Sequence, residues 1–431
     1  MAIVPNHIPV FTRSRRTPRP TRLAVVLAAL FLLPQVAVTS EHHDEEELRL
    51  DADLTPAEVV TAAADRHPRR GLLEAQAATS EAQARYGSRW MPDATSVNAF
   101  TMSDRAFDDI GANETELGIS FPVWMPGEKR ARQAQGEAAL ATQAAREAAF
   151  RWQLSGEVRR LLWDLRLARR QWELAREQEQ RLDQLLEQVT RFAEAGELAR
   201  ADLLSTAQEL ARWKAETIML EAEYRDSERS YRALTGLPAV PATITEPLSE
   251  IADAGPAHPA LRLAADELAE ASAEADAVAE QSAYRPTVDV FWRGFRGDRN
   301  TPDVDALGIG FTVPLGPSPR RDSEVAHARE AAAGVETDYL QTQREVALQL
   351  HEARHQLETV RRQLANSETM METAREKFEL DRLAFELGEL STNQWLRRLS
   401  DYKDIERAHQ LLQVRHGAAI AAYNQAVGES L

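Results

Sequence analysis

The sequence predicts a mainly α fold with a small transmembrane β part, built from a duplicated repeat. Two long stretches, 127–195 and 320–387, are rich in Ala, Glu, Arg, Gln and Leu and contain no proline. Four shorter segments alternate apolar with small or polar residues. A set of landmarks recurs in one order at one spacing.

The landmarks come first. His67-Pro68 recurs as His258-Pro259, and Phe121-Pro122-Val123 as Val313-Pro314-Leu315. Gly196-Glu197-Leu198 recurs as Gly388-Glu389-Leu390, and Tyr231 and Gly236 recur as Tyr423 and Gly428. The offsets are 191 for the first pair and 192 for the others. The expected organisation is a signal peptide (1–40), an acidic tail (41–54), a first repeat (55–237), a linker (238–257) and a second repeat (258–431). The Pro- and Ala-rich linker sits where a boundary belongs.

The N-terminus reads as a secretory address. Arg13, Arg15, Arg16, Arg19 and Arg22 precede the apolar run Leu23 to Leu33, and small residues follow. That run is shorter than the roughly 20 residues a membrane helix needs. Removing positions 1–40 would take the net charge from −17 to −22, since five Arg and no acid are lost. His42-His43 with Asp44-Glu45-Glu46-Glu47 reads as a solvated acidic tail rather than a metal site.

Each repeat has its own order of elements. Thr55 and Pro56 signal a helix start, with Thr55 as cap and Pro56 in the first turn. A break is expected near Pro68 and an end near Pro92. Strands are expected over about 94–103, 114–123, 287–296 and 304–314. Leu117, Ile119, Phe121 and Val123 alternate with Gly118, Ser120 and Pro122. Leu307, Ile309, Phe311 and Val313 alternate with Gly308, Gly310 and Thr312. Period-two alternation with small or polar partners suits lipid on one face and water on the other. The helices after each hairpin would reach about 100 Å. A plain coiled coil leaves the strands without a purpose. Four strands cannot close a useful barrel, and open edges cannot stand in lipid, so other copies must complete it. Three copies related by cyclic symmetry would do so.

Composition narrows the function. The 431 residues include no Cys, so there is no disulfide framework, thiolate site or N-terminal cysteine for a lipid anchor. A charge of −17 argues against nucleic acid as a partner. HEARH (351–355) matches the two-His zinc pattern at His351, Glu352 and His355, yet it lies within a long helix with no third-ligand signal. No catalytic residue, metal ligand or cofactor is expected, and the chain is read as no enzyme.

The residues resemble the TolC-like outer-membrane efflux proteins, the outer-membrane factors of Gram-negative bacteria. The likeness rests on FPVWMPGEKRARQAQGEAAL (121–140), FAEAGELARADLL (192–204), FELGELSTNQWL (385–396) and YRALTGLP (231–238). PGEKRA (126–131) and the HP-containing first helix resemble the heavy-metal-efflux (CzcC-like) branch. The resemblance implies a trimeric, 12-stranded β-barrel continuing into a 12-helix periplasmic α-barrel. It implies a passive duct serving a periplasmic adaptor (membrane fusion protein) and an inner-membrane RND-type transporter. It also implies that the glycine turns meet the adaptor, at Ala195, Gly196, Glu197 and Leu198 and at Leu387, Gly388, Glu389 and Leu390. A periplasmic gate is expected after the second turn, among Gln394, Arg397, Arg398, Asp401 and Asp404. The competing reading is a periplasmic coiled-coil adaptor or scaffold.

Overall fold

The computed structural model describes residues 47–196, 198–281, 285–313 and 319–431. The expected signal peptide, residues 41–46 of the acidic tail and Glu197 lie outside the described residues.

A short strand, β1 (Arg49–Asp51), is followed by helices α1 (Pro56–Arg66) and α2 (Arg70–Ser88). The hairpin β2 (Ser96–Ser103) and β3 (Asn113–Pro122) comes next. It leads into α3 (Glu128–Glu194) and α4 (Arg200–Thr235), and then the short strand β4 (Ala239–Pro241). A second round follows: α5 (Pro259–Glu280), β5 (Thr287–Arg296), β6 (Val304–Thr312), α6 (Pro319–Glu386) and α7 (Thr392–Ala426). At 67 and 68 residues, α3 and α6 are each about 100 Å long.

Local chemistry sets these limits. Thr55 closes a capping box on α1: its hydroxyl accepts from the Glu58 N–H, and the Glu58 carboxylate accepts from the Thr55 N–H at 2.8 Å. The chain breaks at His67-Pro68, where the His67 Nδ1 accepts from the Arg69 N–H at 3.1 Å. His258 repeats that contact with the Ala260 N–H at 3.2 Å, capping α5.

Parts of the expected tail and linker are built into the fold. Within the expected acidic tail, Arg49–Asp51 pairs in parallel with Ala239–Pro241 of the expected linker. Leu48 is buried, and its N–H donates to the buried Glu228 carboxylate at 2.9 Å. Val240 and Ile244 of the linker join the main core, with Val59, Val158, Leu162, Trp163, Tyr224 and Tyr231. These residues carry apolar bulk that solvent would not tolerate, which overrides the charge and proline content of their surroundings.

Two smaller clusters continue the core along the helices, one between α6 and α7 and one between α3 and α4. Small residues allow close approach. A Cβ on Gly87 would sit 2.7 Å from the Arg132 carbonyl oxygen, so α2 lies directly on the α3 backbone. A buried ion pair joins the rounds: Arg159 donates to Glu246 at 2.7 Å and to Gln425 near the C-terminus at 2.6 Å. Among the described residues no helix is long and apolar enough to cross a membrane.

Candidate functional site

The four longer strands form one antiparallel sheet in the order β2-β3-β5-β6. Its register sorts the side chains into two faces. On one face, Val97, Ile119, Val290 and Ile309 stand in a row across all four strands. Ala99, Leu117, Trp292 and Leu307 form the row on one side of it, and Phe121, Val288 and Phe311 the row on the other. Most of these side chains are exposed, including Val97 at 79% and Phe311 at 74%. An exposed apolar surface this continuous marks a face that meets another apolar phase.

The opposite face carries most of the polar side chains, with Met102, Phe295 and Val304 beside Glu114 in the row nearest the loops. Ser96, Asn98, Ser120 and Asp289 lie toward one end, with Glu114, Glu116 and Arg293 toward the other. Arg293 donates to Glu116 at 2.6 Å and pairs with Glu114 at 3.1 Å. Between them the Phe291 ring lies over Gly308, where a Cβ would collide with it. Phe100, in the row of Glu116, Arg293 and Ala306, also belongs to this face. Strands β2 and β6 are the edges of the sheet, and among the described residues nothing pairs with their outer sides.

At the loop end of the sheet, the two hairpin connections are joined. Arg299 pairs with Asp109 at 2.7 Å, and its N–H donates to the Ile110 carbonyl at 3.0 Å. At the helix end, Trp124 and Tyr86 meet edge to face at 5.5 Å beside a buried ion pair between Glu128 and Arg285.

The far ends of the helices carry the two glycine turns. Gly196 has φ +78 and Gly388 has φ +77. Gly388 donates to the Phe385 carbonyl and Glu389 to the Ala384 carbonyl, the paired bonds of a Schellman turn. Gly196 makes the matching bond to Ala193 at 3.1 Å. A Cβ at either glycine would meet nothing within 4 Å, so both turns project into open space. Ala195, Leu387 and Glu389 are exposed at these turns, and Leu198 and Leu390 are half-buried.

The expected gate residues take separate roles. Gln394 closes a capping box on α7: its Oε1 accepts from the Ser391 N–H at 3.0 Å, and its own N–H donates to the Ser391 hydroxyl. Its side chain thus helps to start the helix. Arg398 lies 3.9 Å from Asp381 on α6, and Asp381 also pairs with Lys377 at 3.1 Å. Asp404 is held above the usual carboxylate range by burial, against the pull of Arg407 and Arg212. Arg407 reaches across to α4, 3.6 Å from Glu216 and over the Trp213 ring. Arg397 and Asp401 are exposed.

An aromatic ladder beside the second turn went unread in the sequence. Phe385 stacks on Trp395 at 5.2 Å, and Phe378 stacks on Tyr402 at 4.3 Å. The seven-residue spacings of Phe378 and Phe385 and of Trp395 and Tyr402 were the available signal. They place each pair on one face of its helix. His351, Glu352 and His355 are exposed on α6. Among the described residues, no group of three or more His, Asp or Glu could hold a metal ion.

The outer membrane efflux protein family model matches residues 59–237. No curated protein sequence matches the chain. Solved structures share the fold. The outer membrane protein VceC of Vibrio cholerae is 15% identical, covers 87% of this chain and 96% of its own, and superposes with a TM-score of 0.69. The outer-membrane channel OprN is 16% identical over 88% of this chain and 93% of its own, with a TM-score of 0.69. The Campylobacter jejuni CmeC outer membrane channel is 13% identical over 86% and 85%, with a TM-score of 0.66.

Proposed function

We propose that the protein is the outer-membrane channel of a tripartite efflux system, lodged in the outer membrane of a Gram-negative bacterium and reaching into the periplasm. The observation that carries this reading is the sheet: three apolar rows on one face, an opposite face that carries Glu114, Glu116, Asp289 and Arg293, and two open edges. In lipid an open edge leaves backbone groups unsatisfied. Symmetric copies remove both edges by pairing β6 of one chain with β2 of the next. A homotrimer gives a closed wall with the apolar rows toward lipid and Glu116, Asp289 and Arg293 toward water.

In this reading the helices extend away from the membrane, and the Gly196 and Gly388 turns are the docking points for a periplasmic adaptor. The exposed Leu387 and Phe192 offer that adaptor apolar anchors. An inner-membrane RND-type transporter supplies energy and selects the substrate; this chain conducts passively and catalyses nothing. Heavy-metal cations are the proposed cargo, supported by the PGEKRA and HP segments. Gln394, Arg397, Arg398, Asp401 and Asp404 would form a gate only when rings of copies bring them together.

Detergent extraction of outer membranes, sizing and planar-bilayer recording test the reading. A detergent-soluble trimer with a stable conductance is expected. A salt-extractable monomer that never conducts would overturn it and favour the periplasmic scaffold.

A further inference from the structure

One charged surface has no role in a passive duct. It lies just beyond the apolar rows, where α2 ends and α3 begins. Arg89 follows α2, and Lys129 and Arg130 occupy the first turn of α3. Arg89 and Arg130 are exposed and Lys129 is half-buried. Among the described residues no ion pair engages any of the three. Neighbouring cations are committed: Arg85 to Glu81 at 3.1 Å, Arg132 to Gln135 at 2.8 Å, and Arg285 to the buried Glu128.

The segments form one surface. The Trp124 indole N–H donates to the Arg89 carbonyl at 3.2 Å, and Gly87 packs on the Arg132 backbone. Trp90, next to Arg89, is 80% exposed. Carboxylates are scarce here. Across 85–93 and 124–133, five cations face only Asp93 and Glu128, in a chain whose net charge is −17. Glu280 stands beside Gly127, and Asp93 accepts from the Ala94 N–H within its own turn at 2.8 Å.

The stability of α3 does not call for these cations, because positive charge in a first turn opposes the helix dipole. Indole rings and unpaired cations immediately outside an apolar band are what a phosphate-bearing lipid interface recruits. We propose that Arg89, Lys129 and Arg130, with Trp90 and Trp124, bind the headgroups of anionic phospholipids in the leaflet facing the periplasm. This rests on the channel reading, which puts the apolar rows in the bilayer and the helices in the periplasm. The surface would hold the barrel at a fixed depth and collect acidic lipid around its base.

Tryptophan quenching tests this directly. The full-length protein is reconstituted in vesicles of phosphatidylcholine and phosphatidylglycerol, with bromine on one lipid and then on the other. Phosphatidylglycerol should be preferred by at least about fivefold, the effect of roughly one surface cation. The preference should fall as salt rises. It should vanish when Arg89→Gln, Lys129→Gln and Arg130→Gln are combined, and survive Arg89→Lys with Arg130→Lys. Equal quenching by the two lipids, a preference indifferent to salt, or one retained by the triple variant overturns the proposal. A protein that never inserts overturns the channel reading as well; insertion without preference defeats only the lipid site.

Discussion

Ser96 and Val97 are neighbours on one strand, yet the register sends them to opposite faces. Val97 belongs to the middle apolar row with Ile119, Val290 and Ile309, while Ser96 pairs with Ser120 on the polar face. Arginine at each position should therefore have opposite consequences. On a lipid face near the bilayer midplane an arginine costs about 2–4 kcal/mol. Val97 is already 79% exposed in the single chain, so no packing is lost to confuse that figure. Three symmetric copies would raise the penalty to about 6–12 kcal/mol per assembly, on the scale of a whole domain's stability. Ser96→Arg places the same charge in water and should cost under about 1 kcal/mol, as surface substitutions do. Urea titration of folding into phosphatidylcholine vesicles measures both. Val97→Arg should fail to insert where Ser96→Arg folds like the unaltered protein. The reverse order would mean that the faces have been assigned the wrong way round.

Three further outcomes are expected. Glu128→Ala strands Arg285 in a largely buried site and should cost about 3–5 kcal/mol in urea unfolding, while combining it with Arg285→Met should recover much of the loss. Burial holds His258 below its ordinary value of 6.5, with its ring against Trp152 at 4.8 Å. The folded state therefore takes up its proton later than the unfolded chain. Stability is full above about 6.5 and declines as pH falls from there toward the lower folded value; His258→Asn, which keeps an acceptor for Ala260, should flatten that slope. At the turns, Leu387→Asp with Phe192→Asp should leave the melting temperature within a few degrees, because these side chains are 67% and 48% exposed. The pair should abolish co-purification with the adaptor; undiminished capture would remove the turns from the docking surface.

Local signals were the legible ones. Thr55 with Pro56 announced the start of α1, Pro68 its interruption, and alternation at 304–312 the strand β6. Such signals act within a few residues, where propensity and periodicity decide. The two glycines at 196 and 388 were readable because a helix reversal needs φ above zero. What stayed hidden depends on distance along the chain. β1 is three residues long and finds its partner some 190 positions away, so no period could reveal it. The pairs Arg159 with Glu246 and Arg285 with Glu128 look like ordinary surface charges until the helices pack. Gln394 was different: Ser391 and Gln394 already spelled a capping box, a local use of that side chain at the start of α7.

The open edges at β2 and β6 have a consequence for inheritance. With three chains per ring as proposed, each chain must offer one sound edge to each neighbour. A variant that inserts but pairs badly, such as proline at the outer side of β2, would spoil every ring it enters. Equal expression of sound and defective chains, mixing at random, would leave only about one ring in eight wholly sound. Edge mutations should therefore behave as genetically dominant, whereas a chain that never folds should be recessive, since it joins no ring at all.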